Sequence, residues 1–513
     1  MMTGRYPPRA CWGGRCGAGP GAAVGAGLPK DELTIAAVLK AAGYRTFMTG
    51  KWHMGYYDAA PWQHGFSDYF GIPFTNNECR SNLLGLGSET GCRGGPKGGP
   101  KDTCGPCPVF DWRNGSASPA SKSQGNALGI IEQGAVDFLN IDARYANATA
   151  SFIAEQASAK TPWFVYFCSH HIHWPQFASD VKNGSTPRGP VGDGLATFDA
   201  TVGEVMAAVM AAGALSSTLV VLTGDNGGYI LTPDWLAGGT PTQGGVNGVL
   251  RCGKGTSYEG GMRLPGIAYW PGRIKAATVT SEITSHIDLL PTFCALAKGC
   301  VLPKVPLDGF NLSPLLFSKN EEAKSPRQSF FYYSDGPVAN PPQIANVNGI
   351  YDDTNMTEQD ASARAVLMAS RVGEYKAHFY TQGWSCYGKF TTDAQEMVAG
   401  ISDPACGAQH KLTKHEPPLL NHLGRDVGEY VPVNASSNEY AKAMEAILAA
   451  VAAQAKVMTY RGAAPPSVTR NDTAACYLSP ATDAGWNRTL CFPCASIDCD
   501  PKPSCCATPK RKS

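Results

Sequence analysis

Three short apolar runs, each ending in a cluster of polar side chains, limit what this 513-residue chain can fold into more than any other feature. Tyr44 to Thr49 runs into Gly50-Lys51-Trp52-His53, Trp163 to Cys168 into Ser169-His170-His171-Ile172-His173, and Thr218 to Thr223 into Gly224-Asp225-Asn226-Gly227. Apolar runs of this length, bounded by glycines and polar residues, read as strands. The spacing of Leu33, Ile35, Val38, Leu39 and Ala42 predicts a helix over 31–43, closed by Gly43, and the run TFDATVGEVMAAVMAAG predicts a crossover helix over 197–213. The alternation makes the expected core an α/β sheet, mostly parallel and flanked by helices. In open parallel sheets ligands bind outside the carboxyl ends of the strands, which is where the three polar clusters fall.

Beyond about residue 360 the pattern changes. Ala363 to Arg371 and Lys376 to Thr381 flank Val372-Gly373-Glu374 as an antiparallel hairpin, Asn438 to Tyr460 has helical spacing, and a Cys-rich tail follows. We read a catalytic domain over 1–360 and a smaller C-terminal α+β domain with a short antiparallel sheet over 361–513. Gly85 to Asn126, rich in Gly, Pro, Ser and Lys, reads as a long surface insertion. There are no internal repeats.

Charge excludes one class of partner: 43 basic against 42 acidic residues leave +1, with no field to attract nucleic acid. Apolar stretches such as Val205 to Leu215 fall short of the roughly 20 residues that cross a bilayer, so no transmembrane segment is expected. Eighteen cysteines indicate an oxidising compartment. Asn-x-Ser/Thr triplets at Asn114, Asn147, Asn183, Asn311, Asn355, Asn434, Asn471 and Asn487 agree, so a secreted or lysosomal/vacuolar location by the secretory route is expected. Met1-Met2-Thr3-Gly4-Arg5 does not read as a signal peptide, so either the protein is not secreted or its true start, with the entry signal, is expected ahead of the given sequence.

Asp225 and Asn226 supply a carboxylate and an amide oxygen side by side, the donors a hard cation such as Ca²⁺ or Mg²⁺ takes, although Asp-Asn-Gly is equally a turn signal. Lys51 and Lys254 sit among glycines in GKWHMG and RCGKGTSYEGG, where backbone and ammonium can approach a tetrahedral oxyanion together; the plain alternative is a solvated surface lysine. His53 would share a face with Lys51 on an extended segment. The three imidazoles of SHHIHWPQ suit a transition metal, or His173 a general acid or anion donor, with His170 and His171 packing behind it. The C-x-x-C pairs Cys104/Cys107 and Cys491/Cys494 fit a zinc half-site or, given the cysteine density, disulfides.

Taken in order, LPKDELTIAAVLKAAGYRTFMTGKWHMG, HGF, GIP, FCSHHIHWPQF, LTGDNGG and RCGKGTSYEGGMRLP resemble the landmarks of the type I sulfatases of the alkaline phosphatase superfamily, and YKAHFYTQG, HEPPLLNHL and CDPKPSCC resemble the arylsulfatases among them. The resemblance spans nearly the whole chain. It implies an alkaline-phosphatase-like fold and a sulfuric ester hydrolase that uses one Ca²⁺ and a formylglycine whose hydrated diol attacks sulfur. It also implies Asp225 and Asn226 as Ca²⁺ ligands, and Lys51, His53, His173 and Lys254 as catalytic residues. Sulfate would be held by Lys51, His173 and Lys254, with Thr75 as a looser match facing the substrate, and Cys252 would pair with Cys406. A sulfated small molecule, glycolipid or carbohydrate is the expected partner, and a homo-oligomer is open.

The sequence departs from the resemblance at one point. The family signature C-x-P-S-R, which ends in Thr-Gly-Arg, is represented only by Thr3-Gly4-Arg5, so the nucleophile is expected ahead of Met1. Cys11 keeps a Cys-to-Arg interval with Arg15 but lacks the Pro and Ser of the modification signal, and reads as a loop residue. Two other classes stay open: a non-catalytic sulfate-binding pseudoenzyme, and a phosphoesterase of the same superfamily, which would need further Asp and His ligands.

Overall fold

The computed structural model describes residues 1–11, 16, 27–55, 59–73, 75, 107–117, 130–134, 137–173, 176–228, 230, 245–320, 322–337, 365–383, 403–406, 412–461, 476–477 and 490–491. The first sheet is built on β1 (Arg45–Gly50), which pairs in parallel with β2 (Asp68–Gly71) on one side and β6 (Trp163–Cys168) on the other. Antiparallel strands β3 (Cys107–Arg113), β4 (Ser116–Ala117) and β5 (Ile130–Gly134) extend it beyond β2. The sheet is therefore mixed, with parallel pairing confined to its β2-β1-β6 side.

Alternation along the strands divides the core between two faces. Phe47, Phe70, Val165 and Phe167 pack against Phe138, Tyr145, Phe152 and Ile153 of the Phe138–Ala159 helix. On the opposite face Met48, Tyr69, Phe164 and Tyr166 meet Ile35, Val38 and Leu39 of the Ile35–Ala41 helix and Leu290 of the Leu289–Leu296 helix. The result is a helix–sheet–helix stack. The first helix is shorter than 31–43 because the Thr34 hydroxyl accepts a hydrogen bond from the Ala37 amide at 3.1 Å, fixing the N-cap at Thr34. The expected 197–213 helix begins earlier, at Gly189, with Pro190 in its first turn.

Two expectations change. Part of the 85–126 stretch is not a surface loop: Val109 and Phe110 are buried in β3, which zips onto β2 as Tyr69↔Trp112 and Phe70↔Asp111. The β6–helix–β7 segment does not close a parallel unit either. β7 (Val220–Thr223) finds its partner in β8 (Gly266–Tyr269), antiparallel, and among the described residues it does not pair with β6. The connecting Gly189–Ala211 helix is, among the described residues, long and apolar enough to cross a membrane by length and composition. Here it lies against the Phe138–Ala159 helix, with Val209 buried in the same core.

A second, four-stranded antiparallel sheet runs β12 (Thr413–His422), β11 (Tyr375–Thr381), β10 (Ala365–Val372), β9 (Ser329–Pro337). It buries Val366, Met368, Ala377, Phe379 and Leu420 with Tyr440, Met444, Ile447 and Val451 of the Asn438–Val457 helix. The hairpin read from 363–381 is present as β10 and β11, while β9 joins this sheet from ahead of residue 361. Cys252–Cys406 and Cys294–Cys300 are disulfides, with S–S distances of 2.00 and 2.07 Å, and Cys11 pairs with Cys16. The C-x-x-C pairs and the Cys-rich tail lie outside what the described side chains cover.

Candidate active site

Strand ends place the polar clusters. β1 and β6 pair up to Gly50↔Cys168, and the next amide, of Lys51, donates to the Cys168 carbonyl at 2.9 Å. The backbones pass so closely that a Cβ on Gly50 would stand 1.9 Å from the Cys168 oxygen, which excludes any side chain there. Lys51 thus leaves the sheet directly beside the end of β6. Beyond it the chain is not extended: the Trp52 and His53 amides bond to the carbonyls of Ile72 and Pro73, and His53 has φ +52°. That left-handed turn breaks the two-residue repeat on which a shared face with Lys51 was expected. Thr75, buried at 2% exposure, follows on the same Ile72–Pro73 segment.

The three histidines after β6 are divided among separate partners. His170 Nε2 lies 3.1 Å from the Tyr145 hydroxyl, and burial pushes its pKa down to about 3, with Lys51 and His53 contributing positive charge nearby against the opposing pull of Asp142. His171 Nε2 is 2.8 Å from Asp142 Oδ2, and Ser169 Oγ donates to the other Asp142 oxygen at 3.1 Å. The His173 amide closes a turn on the His170 carbonyl at 2.9 Å, and its Nε2 lies 3.4 Å from Lys254 Nζ. A shared transition-metal site for the trio is therefore replaced by two buried supports and one imidazole facing a lysine. The one close group of potential ligands among the described residues, Cys252, Asp403 and Cys406, holds a disulfide instead of a metal.

β7 carries Asp225 and Asn226 toward the same region. Asp225 acts electrostatically on Cys168, whose thiol is pushed up by burial and by that carboxylate while Lys51 opposes. Asp225 is exposed, and neither it nor Asn226 makes a side-chain hydrogen bond or ion pair among the described residues. Two unengaged oxygen donors on adjacent residues fit a hard cation in kind and supply part of its shell of about six oxygens. The loop bearing Lys254 is stitched to the β7 loop: the Lys254 amide donates to the Gly228 carbonyl at 3.1 Å, the Gly227 amide to that of Gly261 at 3.0 Å, and Asn247 bonds to both Gly228 and Cys252. Lys51, His173, Asp225 and Lys254 are thus linked through β1–β6 pairing, one side-chain contact and one loop-to-loop seam.

Comparison with known proteins decides the lineage. The sulfatase profile matches residues 1–300 and that of the C-terminal region of aryl-sulfatase matches residues 325–506. The chain belongs to the sulfatase family. Human arylsulfatase A is 35% identical over 518 residues, covering 99% of this chain and 84% of that protein. Human N-acetylgalactosamine-6-sulfatase is 30% identical over 442 residues, covering 83% and 68%. A solved sulfatase from Pseudoalteromonas sp., PsFucS1, superposes with a TM-score of 0.63 at 21% identity, over 89% of this chain and 79% of that one, and shows the shared fold. By family the chain is a sulfuric ester hydrolase, and sulfatases are generally metal-dependent.

One part of the sulfatase structure escaped sequence reading: a buried ionic group beneath the Lys254 loop. Lys376 Nζ lies 2.9 Å from Glu259 and 3.1 Å from Glu429, and His378 Nε2 lies 2.7 Å from Glu429 Oε1. Burial alone would raise the Glu429 pKa, but the Lys376 ammonium and the His378 hydrogen bond outweigh it and hold it at about 2. Burial likewise opposes charge on Lys376, and the two carboxylates raise its pKa instead. The signal was the alternation Lys376-Ala-His378-Phe, which puts both polar residues on one face of β11.

Proposed function

We propose that Lys51, His53, His173 and Lys254 hold the sulfate group of a sulfate monoester, and that Asp225 and Asn226 hold Ca²⁺ beside it. The observation that supports this most is the 3.4 Å approach of Lys254 Nζ to His173 Nε2, two residues 81 positions apart brought from separate loops to one point. A sulfate ester is already anionic, and attack by oxygen raises the charge on its oxygens, so the pocket must supply fixed positive charge. Lys51 and Lys254 supply it as ammonium groups. His173 donates to a sulfate oxygen, and Lys254 delivers a proton to the ester oxygen as the S–O bond breaks. A cation on Asp225 and Asn226 adds Lewis-acid compensation of the same charge. The attacking group belongs to the C-x-P-S-R signature, which the 513 residues do not contain.

Names of the relatives point to sulfated carbohydrates and aryl sulfates as the substrate class, and we place the protein on the secretory route. Its cross-links support that location, as do exposed sequon asparagines at Asn114, Asn147, Asn183 and Asn434. The test is calorimetric titration of inorganic sulfate into the protein with Ca²⁺ present. Binding should weaken on chelation, and Lys254→Ala should weaken it roughly 10- to 100-fold, the value of one charge-assisted hydrogen bond. Equal affinity in wild type and Lys254→Ala would refute the pocket.

A further inference from the structure

The Lys254 loop is fastened at its start to segments on either side of β12 and at its far end to β11, parts of the chain that contribute no motif of the pocket. At its start, the Arg251 guanidinium grips both oxygens of Asp403, donates to the Glu429 carbonyl at 3.1 Å and lies over the Tyr258 ring at 4.6 Å, while Cys252 is bonded to Cys406. At its far end, Glu259 meets Lys376 of β11, and its amide donates to Glu429. Between them Ser257 Oγ lies 3.2 Å from His378 Nδ1. The Gly260 amide then returns to the Arg251 carbonyl at 2.9 Å, closing the loop on itself.

Ser257, His378 and Glu429 form a Ser–His–Glu chain, the pattern of an activated nucleophile. The burial of all three argues against that use: Ser257 is 8% exposed, Glu429 1% and His378 0%, leaving a substrate no approach. Burial lowers the His378 pKa, so the ring is neutral; its Nε2–H donates to Glu429 and its Nδ1 accepts from the Ser257 hydroxyl. Both ring nitrogens are therefore committed, and each bond fixes the direction of the next.

We infer that the Glu429–His378–Ser257 chain, together with the Lys376–Glu259 pair, is a positioning device by which the C-terminal sheet sets the placement of Lys254 for sulfate binding. The inference rests on the sulfate pocket proposed above. Ser257 stands three residues from Lys254, and the intervening Thr256 is tied back to Gly253 by its amide at 3.1 Å and its hydroxyl at 2.9 Å. A displacement of Ser257 is thus passed to Lys254 through a short, internally bonded turn. A misplacement of about 1 Å in a charged group is enough to cost large factors in binding or rate.

The test compares inorganic sulfate affinity, with Ca²⁺ present, in the full chain and in His378→Phe, His378→Gln and Ser257→Ala, alongside each variant's thermal unfolding. His378→Phe should weaken sulfate at least tenfold in protein that is still folded at the assay temperature. His378→Gln, which can accept from Ser257 and donate to Glu429, should restore affinity to within about threefold of wild type. A merely structural role would lower the melting temperature of His378→Phe and leave sulfate affinity alone, and that result overturns the inference. Should His378→Phe not fold, Ser257→Ala decides: a loss of threefold or more supports the device, and wild-type affinity rejects it. Lys254→Ala separates the two readings. If it binds sulfate as wild type does, the pocket itself is wrong; if it loses affinity while folded His378→Phe keeps it, the device alone is wrong.

Discussion

Lys376→Met should cost about 3–5 kcal/mol of folding stability, the usual penalty when one partner of a buried ion pair is removed and the other is left without compensation. Lys376 is fully buried, and without it Glu259 and Glu429 would face each other as two anions with only His378 and the Glu259 amide between them. Denaturant unfolding at neutral pH measures the loss. The same group sets an acid limit. Glu429 has a folded pKa of about 2 against an ordinary value of 4.5, so its contribution is fully present above pH 4.5 and disappears as pH falls toward 2. At roughly 1.4 kcal/mol per unit, that contribution is on the order of 3 kcal/mol. Stability that is flat in wild type between pH 4.5 and 2, or unchanged by Lys376→Met, would contradict the charge assignment.

The second large effect concerns turnover. A polypeptide of these 513 residues alone, which carry no C-x-P-S-R signature, should hydrolyse a chromogenic aryl sulfate at least about a thousandfold more slowly than a sulfatase with a matured formylglycine, because removing a nucleophile from a hydrolase typically costs this much or more. Among the described residues, two cysteines that could stand in are poorly suited. Cys11 is fully buried and bonded to Cys16. Cys168 is free and lies beside Lys51, but its surroundings raise its pKa and keep it a thiol, and the thiolate is the nucleophile. Measured turnover within tenfold of an intact sulfatase, abolished by Cys168→Ser, would show that Cys168 attacks sulfur and that the nucleophile has been misassigned.

Strands were legible where their signals are local: WFVYFC is β6 to the residue, and the hairpin around Gly373 is where its turn signal put it. Legibility failed where a partner far along the chain decides the outcome. Nothing in TLVVLT says that it will pair antiparallel with the distant GIAY, as it does in the register Val220↔Tyr269 and Leu222↔Ile267. The imidazoles of SHHIHWPQ could not be divided by spacing, since Tyr145, Asp142 and Lys254, which claim one each, come from two other places, the Phe138–Ala159 helix and the Lys254 loop. The lysines proposed for the site were singled out by their glycine-rich setting, whereas Lys376 and Glu429 lie in ordinary strand and turn sequence and become a cluster only through the packing of β11 against the Lys254 loop.

The most direct test is a crystal structure of the protein grown with sulfate and Ca²⁺. The account predicts a sulfate whose oxygens lie about 3 Å from Lys51 Nζ, Lys254 Nζ and the His173 ring, with a cation on the oxygens of Asp225 and Asn226. A sulfate bound elsewhere, with Lys51 and Lys254 directed to different surfaces, would contradict it.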